Sequence, residues 1–396
     1  MNARFIFALL LGLVAQPLPA ASYRPGAPGT AFFTNGAVHA FEIEIGRANM
    51  ATLRSTPREY VRATVRAGRQ TYTNVGVHLK GVATFRPIDD QPSLTLHFSK
   101  FDRQQRFHGL RKIHLNNGKE DPTFIREAIS AEMFERAGLP ATRVTHGRIR
   151  LNGRDLGPYV IKESFTKEFL ARYFKNTGGN LYDSGFRLEV TSPLELLQGP
   201  KPEDRTDLQQ LAAAAQESSL ARRWTGLTRS LDTNNFCRYL AMQTLIANWD
   251  GYSFYRNNYR IYHDPGTDRL FFMPHGMDQT FTQAGMPLFP SRWEGLVARA
   301  YVSTPPGRAH YQQQVGVLYT NTWNANALVR RVNELAALLK PHVAAQDSAT
   351  VAEHAREVIA LRQSILERGT FLSQQFRGTN WMNPSGRRTV PWATVR

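Results

Sequence analysis

The chain has 396 residues, a formal net charge of +17 and 42% hydrophobic residues. That length suits one large domain or two ordinary lobes, and that hydrophobic content excludes wholesale disorder. The basic excess, mostly arginine, favours anionic partners such as nucleotide phosphates, acidic proteins, anionic glycans or lipid headgroups. No base-reading motif, zinc-finger spacing or heptad after a basic run is present, which argues against nucleic acid.

In chain order, residues 1–4 are a short basic start and residues 5–14 an apolar run. Ala20 and Ala21 follow Pro17 and Pro19. This is the pattern of a signal peptide over 1–21, removed on export to the periplasm, cell surface or medium. The run is well short of the roughly 20 residues a membrane span requires, and no later stretch of the mature chain reaches that length. Residues 22–36 hold several Gly, Pro, Ser and Thr and read as a linker. Strand periodicity then appears at Phe41, Ile43 and Ile45, at Val61, Ala63 and Val65, and at Val75, Val77 and Leu79. It returns at Leu94, Leu96 and Phe98 and at Ile113 and Leu115. A helix is predicted next, capped by Asp121, with Pro122 in its first turn and an apolar stripe of Ile125, Ile129, Met133 and Phe134. Residues 144–151 and 156–163 alternate on either side of Asn152-Gly153, a hairpin signal.

Beyond residue 163 helical periodicity takes over, at 167–174, 208–216, 236–247, 329–339 and 351–371. One strand pair remains, 259–263 and 270–273, around the Asp264-Pro265-Gly266 turn. The single cysteine, Cys237, falls in a predicted helix and reads as a buried structural thiol. The map is α+β: a β-rich lobe over 37–164 with one central helix, then a mostly helical lobe over 165–396. This is the layout of a two-lobed, protein-kinase-like fold, with a cleft near 162–166 as the place for a small-molecule site.

Walker-type and Rossmann glycine loops, His-Glu-x-x-His, Gly-x-Ser-x-Gly, His-Arg-Asp and Asp-Phe-Gly are all absent. The densest chemistry lies over 247–262, where Asp250 follows a helix and Asn257-Asn258 begin a strand. Asp278 lies just past the second strand of that hairpin. An acid, an amide and a second acid so placed could hold a metal–phosphate group. Spacing alone also fits a helix-ending turn at Asp250, turn formers at 257–258 and a surface acid at 278.

Four or five motifs in order resemble the CotH family, the spore coat protein H type of atypical kinase. They are Val77-His-Leu-Lys-Gly81, the 115–127 stretch (LNNGKEDPTFIRE), Gly157 to Glu163 with Lys167-Glu-Phe-Leu170, Asn248-Trp-Asp-Gly-Tyr with Asn257-Asn-Tyr, and 274–281. The resemblance implies an exported kinase that uses ATP with Mg²⁺ or Mn²⁺ and phosphorylates Ser or Thr of a surface or extracytoplasmic protein. It implies that Asp250 is the catalytic acid and that Asp278 and Asn258 (or Asn257) hold metal. Lys80 would meet the phosphates, Glu127 or Glu132 would pair with Lys80, and Glu163 would lie at the seam near the adenine. Each has an ordinary rival role: Lys80 a strand-end cation, Glu132 a solvated helix acid, Glu163 a helix cap. Two departures stand out. Gly276 replaces one acid of the usual second motif, and the stretch at Gln91-Pro-Ser-Leu-Thr-Leu lacks the usual second basic residue, for which Arg86 and Lys100 are the candidate substitutes. These departures keep open a non-catalytic surface or coat protein that binds acidic glycan or protein partners. AMP transfer instead of phosphate transfer is a third class.

Overall fold

A computed structural model describes residues 26–200 and 203–377. The expected signal peptide lies outside the described residues. The expected linker is corrected for 26–36: a short helix α1 (Thr30–Thr34) buries Phe32 and Phe33, which pack with Phe41 and Phe107. Two adjacent phenylalanines outweigh the glycine and proline around them, because each large ring removed from water is strongly favourable.

The N-terminal strands are β1 (Val38–Ile45), β2 (Val61–Ala67), β3 (Gln70–Lys80), β4 (Ser93–His97), β5 (Lys112–Asn116), β6 (Val144–Leu151) and β7 (Arg154–Glu163). They close into a barrel in the order β1-β2-β3-β4-β5-β7-β6, a feature that strand periodicity does not reveal. Closure comes from β1 pairing in parallel with β6, Val38 opposite His146 through Ile43 opposite Leu151. The predicted hairpin forms, with Asn152 and Gly153 both at positive φ, and the Asn152 amide ties down the backbone of Ile45. Helix α2 (Arg47–Ser55) lies against β2.

Inside the barrel sit Val77, Leu79, Leu94, Leu96, Ile113, Leu115 and Ile161, all fully buried. The intervening residues therefore face outward, since side chains alternate along a strand. On β3 to β7 these are His78, Lys80, Thr95, His97, Lys112, His114, Asn116 and Lys162, brought side by side by the register.

Helix α3 (Arg126–Arg136) starts four residues later than Pro122 suggests, because Phe124 takes φ +60. Its N-cap is Ile125 and not the expected Asp121, which lies a turn earlier and accepts from the Arg126 and Thr123 amides. The sequence places α3 with the strands, but its apolar stripe shares one core with the helices that follow. Those are α5 (Thr206–Gln216), α6 (Leu220–Ser230), α7 (Thr233–Leu245), α8 (Tyr252–Tyr255), α9 (Leu296–Ser303), α10 (Pro305–Thr322), α11 (Ala325–Val343) and α12 (Ser348–Arg377), whereas the short α4 (Lys167–Leu170) before them packs into a separate small core with Phe165, Phe174 and Tyr262. The predicted strand pair is β10 (Tyr259–Asp264) and β11 (Arg269–Pro274). It is extended by β8 (Leu181–Asp183) and β9 (Glu195–Gln198) into a four-stranded sheet ordered β11-β10-β8-β9. These two strands are too short to show periodicity. Cys237 is fully buried and unpaired. No helix among the described residues is long and apolar enough to cross a membrane.

Candidate functional site

The outward face of β3, β4, β5 and β7 carries the basic residues, and the loop after β11 closes over it. Lys80 Nζ donates to Asn116 Oδ1 at 2.6 Å and has no carboxylate partner among the described residues. Burial, with Lys162 nearby, pushes its ammonium down to about 7. The expected ion pair of Lys80 with Glu127 does not form. Glu127 instead accepts from Lys162 Nζ at 2.5 Å, and its other oxygen accepts from the Met277 amide at 2.9 Å. Both members of the Lys162–Glu127 pair are almost fully buried. Glu127 thus ties α3 to the barrel and to the loop that presents Asp278.

Glu132 lies elsewhere. Five residues along a helix turn the side chain about 140° from Glu127. It meets Arg331 of α11 at 2.9 Å, beside a cavity of about 550 Å³ on the far side of α3. Glu163 is held by Arg143 and Arg172, each at 2.6 Å, and is buried among them. Its lone pairs serve the junction between barrel and α4, and the structure brings neither Glu132 nor Glu163 to Lys80.

Asp250 follows α7 in a turn that Ala247 opens with φ +51. Its carboxylate accepts from Asn257 Nδ2 at 3.1 Å and Asn258 Nδ2 at 2.6 Å. Burial raises its pKa, and the two amides oppose that rise. Asp278 takes no side-chain hydrogen bond from any described residue. Burial first, then Glu127, push it up to about 7, with Lys162 opposing and Glu120 and Asp121 adding to the rise. Glu120 is also raised, by burial and by Asp250, so its charge is felt by both aspartates.

Gly276 has a physical role here. It sits at φ +52, and a Cβ on it would lie 2.3 Å from Asn258 Oδ1. Absence of a side chain at 276 is what lets Asn258 reach Asp250. Neither suggested substitute for the second basic residue pairs with the groups around Lys80: Arg86 lies by Asp90, and Lys100 lies over the Tyr60 ring at the His97 and Lys112 end of the face.

The sequence reading missed Lys162, Lys112, His114, Arg260 and His275. Burial and the facing lysines hold His114 well below its usual range, and burial with Arg260 and Lys162 does the same for His275. Arg260 donates to Asp183 at 2.6 Å and lies over the Phe165 ring. The signal was present: in 77–80, 112–116 and 160–163 basic or polar residues occupy every second position, opposite the apolar ones that were counted.

Asp278 has open acceptor oxygens, and Asn258 Oδ1 accepts from no described donor. That suits a divalent cation, which prefers oxygen ligands. No group of three or more His, Cys, Asp or Glu gathers to hold a metal among the described residues. The donor set therefore fits an ion that arrives with substrate phosphates better than a metal bound by protein alone.

The CotH kinase protein family matches residues 77–372, and the chain belongs to this family. The match begins in β3 just before Lys80 and runs to the last turns of α12, so it takes in Lys80, Glu127, Lys162, Asp250, Asn258 and Asp278. Among curated proteins, the chain is 27% identical over 207 residues to inner spore coat protein H of Bacillus subtilis, covering 49% of this chain and 56% of that protein. It is 24% identical over 259 residues to invasin CotH2 of Rhizopus delemar, covering 57% of this chain and 44% of the invasin. The chain thus spans about half the length of the curated relatives it matches. Among solved structures, the Shewanella oneidensis HipA, HipB and operator DNA complex aligns with 12% identity and a TM-score of 0.34, over 76% of this chain and 68% of that one. A likeness that loose adds nothing to the account of the fold.

Proposed function

We propose that the chain is a two-lobed, kinase-like phosphotransferase that moves the terminal phosphate of ATP to a Ser or Thr hydroxyl of a surface or extracytoplasmic protein. The names of the relatives, a spore coat protein and an invasin, support the surface setting. The observation that carries the reading is Asp278, a carboxylate with open oxygens, set beside the buried Lys162–Glu127 pair and Lys80.

Phosphoryl transfer is mostly positioning and charge neutralisation. Lys80, with Lys162 held in place by Glu127, supplies fixed cations for the triphosphate. Asp278 and Asn258 would hold Mg²⁺ or Mn²⁺, which would offset the negative charge of the phosphates. Asp250, kept in orientation by Asn257 and Asn258, accepts the proton as the acceptor oxygen bonds to the terminal phosphorus. The bond from that phosphorus to the bridging oxygen breaks, and ADP leaves. A raised pKa makes Asp250 a better base than a solvated aspartate.

Thermal melting tests nucleotide binding directly. Mg-ATP at about 100 times its Kd should add about 2.7 kcal/mol of stability. The wild-type chain is expected to melt higher with Mg-ATP, and Lys80→Met is expected to lose the rise. Absence of any rise in the wild type, at millimolar Mg-ATP, would overturn the reading.

A further inference from the structure

Next to Asp250, starting at Trp249, runs a set of exposed and half-buried groups that the reaction above does not use. Trp249 packs edge-on to Tyr255 at 5.9 Å, and Tyr255 packs edge-on to Phe186 at 6.5 Å. Arg187 lies over the Tyr255 ring at 4.2 Å. Phe186 is 48% exposed, although large apolar rings usually find cover. Arg187 and Arg256 have no ion pair among the described residues. Glu189 is close to Arg256, but its oxygens are committed to the Tyr252 hydroxyl and to the Val190 and Leu296 amides. Arg256 Nε is buried and without a partner.

Both arginines also adopt a backbone that such residues rarely take, with φ +57 at Arg187 and φ +54 at Arg256. Strain of this kind persists where the surroundings hold it, often at ligand clamps. Two loops, one after β8 and one after α8, therefore each hold an arginine in a strained conformation next to the ring cluster at Tyr255.

We propose that Trp249, Tyr255, Phe186, Arg187 and Arg256 form the acceptor platform and that it takes an acidic peptide segment. Rings offer flat apolar area to the peptide, and unpaired guanidiniums match carboxylates by charge-assisted hydrogen bonds. The strongly basic chain adds long-range attraction of the same sign. The identification as an acceptor site rests on the phosphotransferase reading, whereas the peptide binding does not.

Fluorescence polarisation of a labelled peptide, a serine flanked by glutamates, tests it against the same peptide with lysines. The full chain is used without ATP. The glutamate peptide is expected to bind at least about tenfold tighter, and Arg187→Glu to lose about tenfold of that affinity. Arg187 is exposed, so the fold tolerates this change; Arg222→Glu, an exposed arginine of α6, should leave the affinity unchanged. Equal binding of the two peptides, or no effect of Arg187→Glu, overturns the proposal. So does capture of phosphatidylglycerol vesicles with no peptide binding. If the glutamate peptide binds through Arg187 but labelled phosphate never moves from ATP, the phosphotransferase reading fails and the peptide site stands.

Discussion

Replacing Gly276 by alanine probes the geometry that links the two loops of the site. At φ +52 an alanine costs about 1 kcal/mol in backbone strain alone. Its Cβ would lie 2.3 Å from Asn258 Oδ1 and 2.7 Å from Cγ, so the amide must retreat by roughly 1 Å to reach ordinary contact. That retreat breaks the 2.6 Å bond to Asp250, a charge-assisted bond of about 1.5–3 kcal/mol. Asn257 still holds the other oxygen, so part of the orientation survives. The expected outcome is a loss of about 2.5–4 kcal/mol in stability and a fall of about 10–100-fold in phosphate transfer with the fold intact. Thermal denaturation reads the first and transfer from labelled ATP the second. Asn258→Ala also removes the Oδ1 proposed to hold the metal, so it should lower transfer at least as much, and the double variant should fall little below Asn258→Ala, because Gly276 acts through Asn258. Full additivity, or an alanine variant with wild-type transfer, would refute the reasoning.

Lys162→Met leaves Glu127 buried without its cation and should cost about 3–5 kcal/mol, with partial recovery in the Lys162→Met, Glu127→Gln double variant; chemical denaturation measures both. Lys80 has a folded pKa lowered to about 7, so the folded state carries a poorly solvated charge below pH 7 and sheds it as pH rises toward the unfolded value. Lys80→Met should therefore be more stable than wild type below pH 7, with the gain shrinking from about 7 to about 10.5 as read by urea titration across pH. Lys162, Glu127, Asp278 and Arg260 face the same group, so the comparison is made at constant ionic strength. Arg368 of α12 is fully buried and donates to carbonyls of Thr244, Leu245, Ala284 and Met286. Arg368→Leu strands these acceptors and should cost about 3 kcal/mol or more, seen as a lower melting temperature.

Much of the fold could be read from periodicity. The strands at 41–45, 75–79, 94–98 and 113–115, the hairpin around Asn152-Gly153 and the β10–β11 pair all rest on alternation or on turn residues with a defined conformation. Barrel closure was not readable, because the parallel β1–β6 pairing joins segments about a hundred residues apart and leaves no local trace. β8 and β9 escaped for want of length, and α3 started late because one positive φ at Phe124 interrupts its first turn. At the site, the resemblance picked out Asp250, Asp278, Asn258, Lys80 and Glu127, which the fold brings around one face of the barrel. It also assigned Glu127 to the wrong lysine. Lys80 and Lys162 lie on the same face of one curved sheet, and only the crossing of α3 decides which of them its glutamate reaches. Residue type and spacing do not encode that crossing. Arg368 on α12 holds the turn after α7 and the loop behind Asp278.

The most direct test of the account is transfer of terminally labelled phosphate from ATP with Mg²⁺ or Mn²⁺, to the chain itself and to the glutamate-flanked serine peptide. Wild type is run beside Asp250→Ala and Asp278→Ala. The account predicts label on serine or threonine with the wild type and loss of about a hundredfold or more in both variants. Wild-type transfer that survives either substitution, or label that follows the α-phosphate instead, would contradict it.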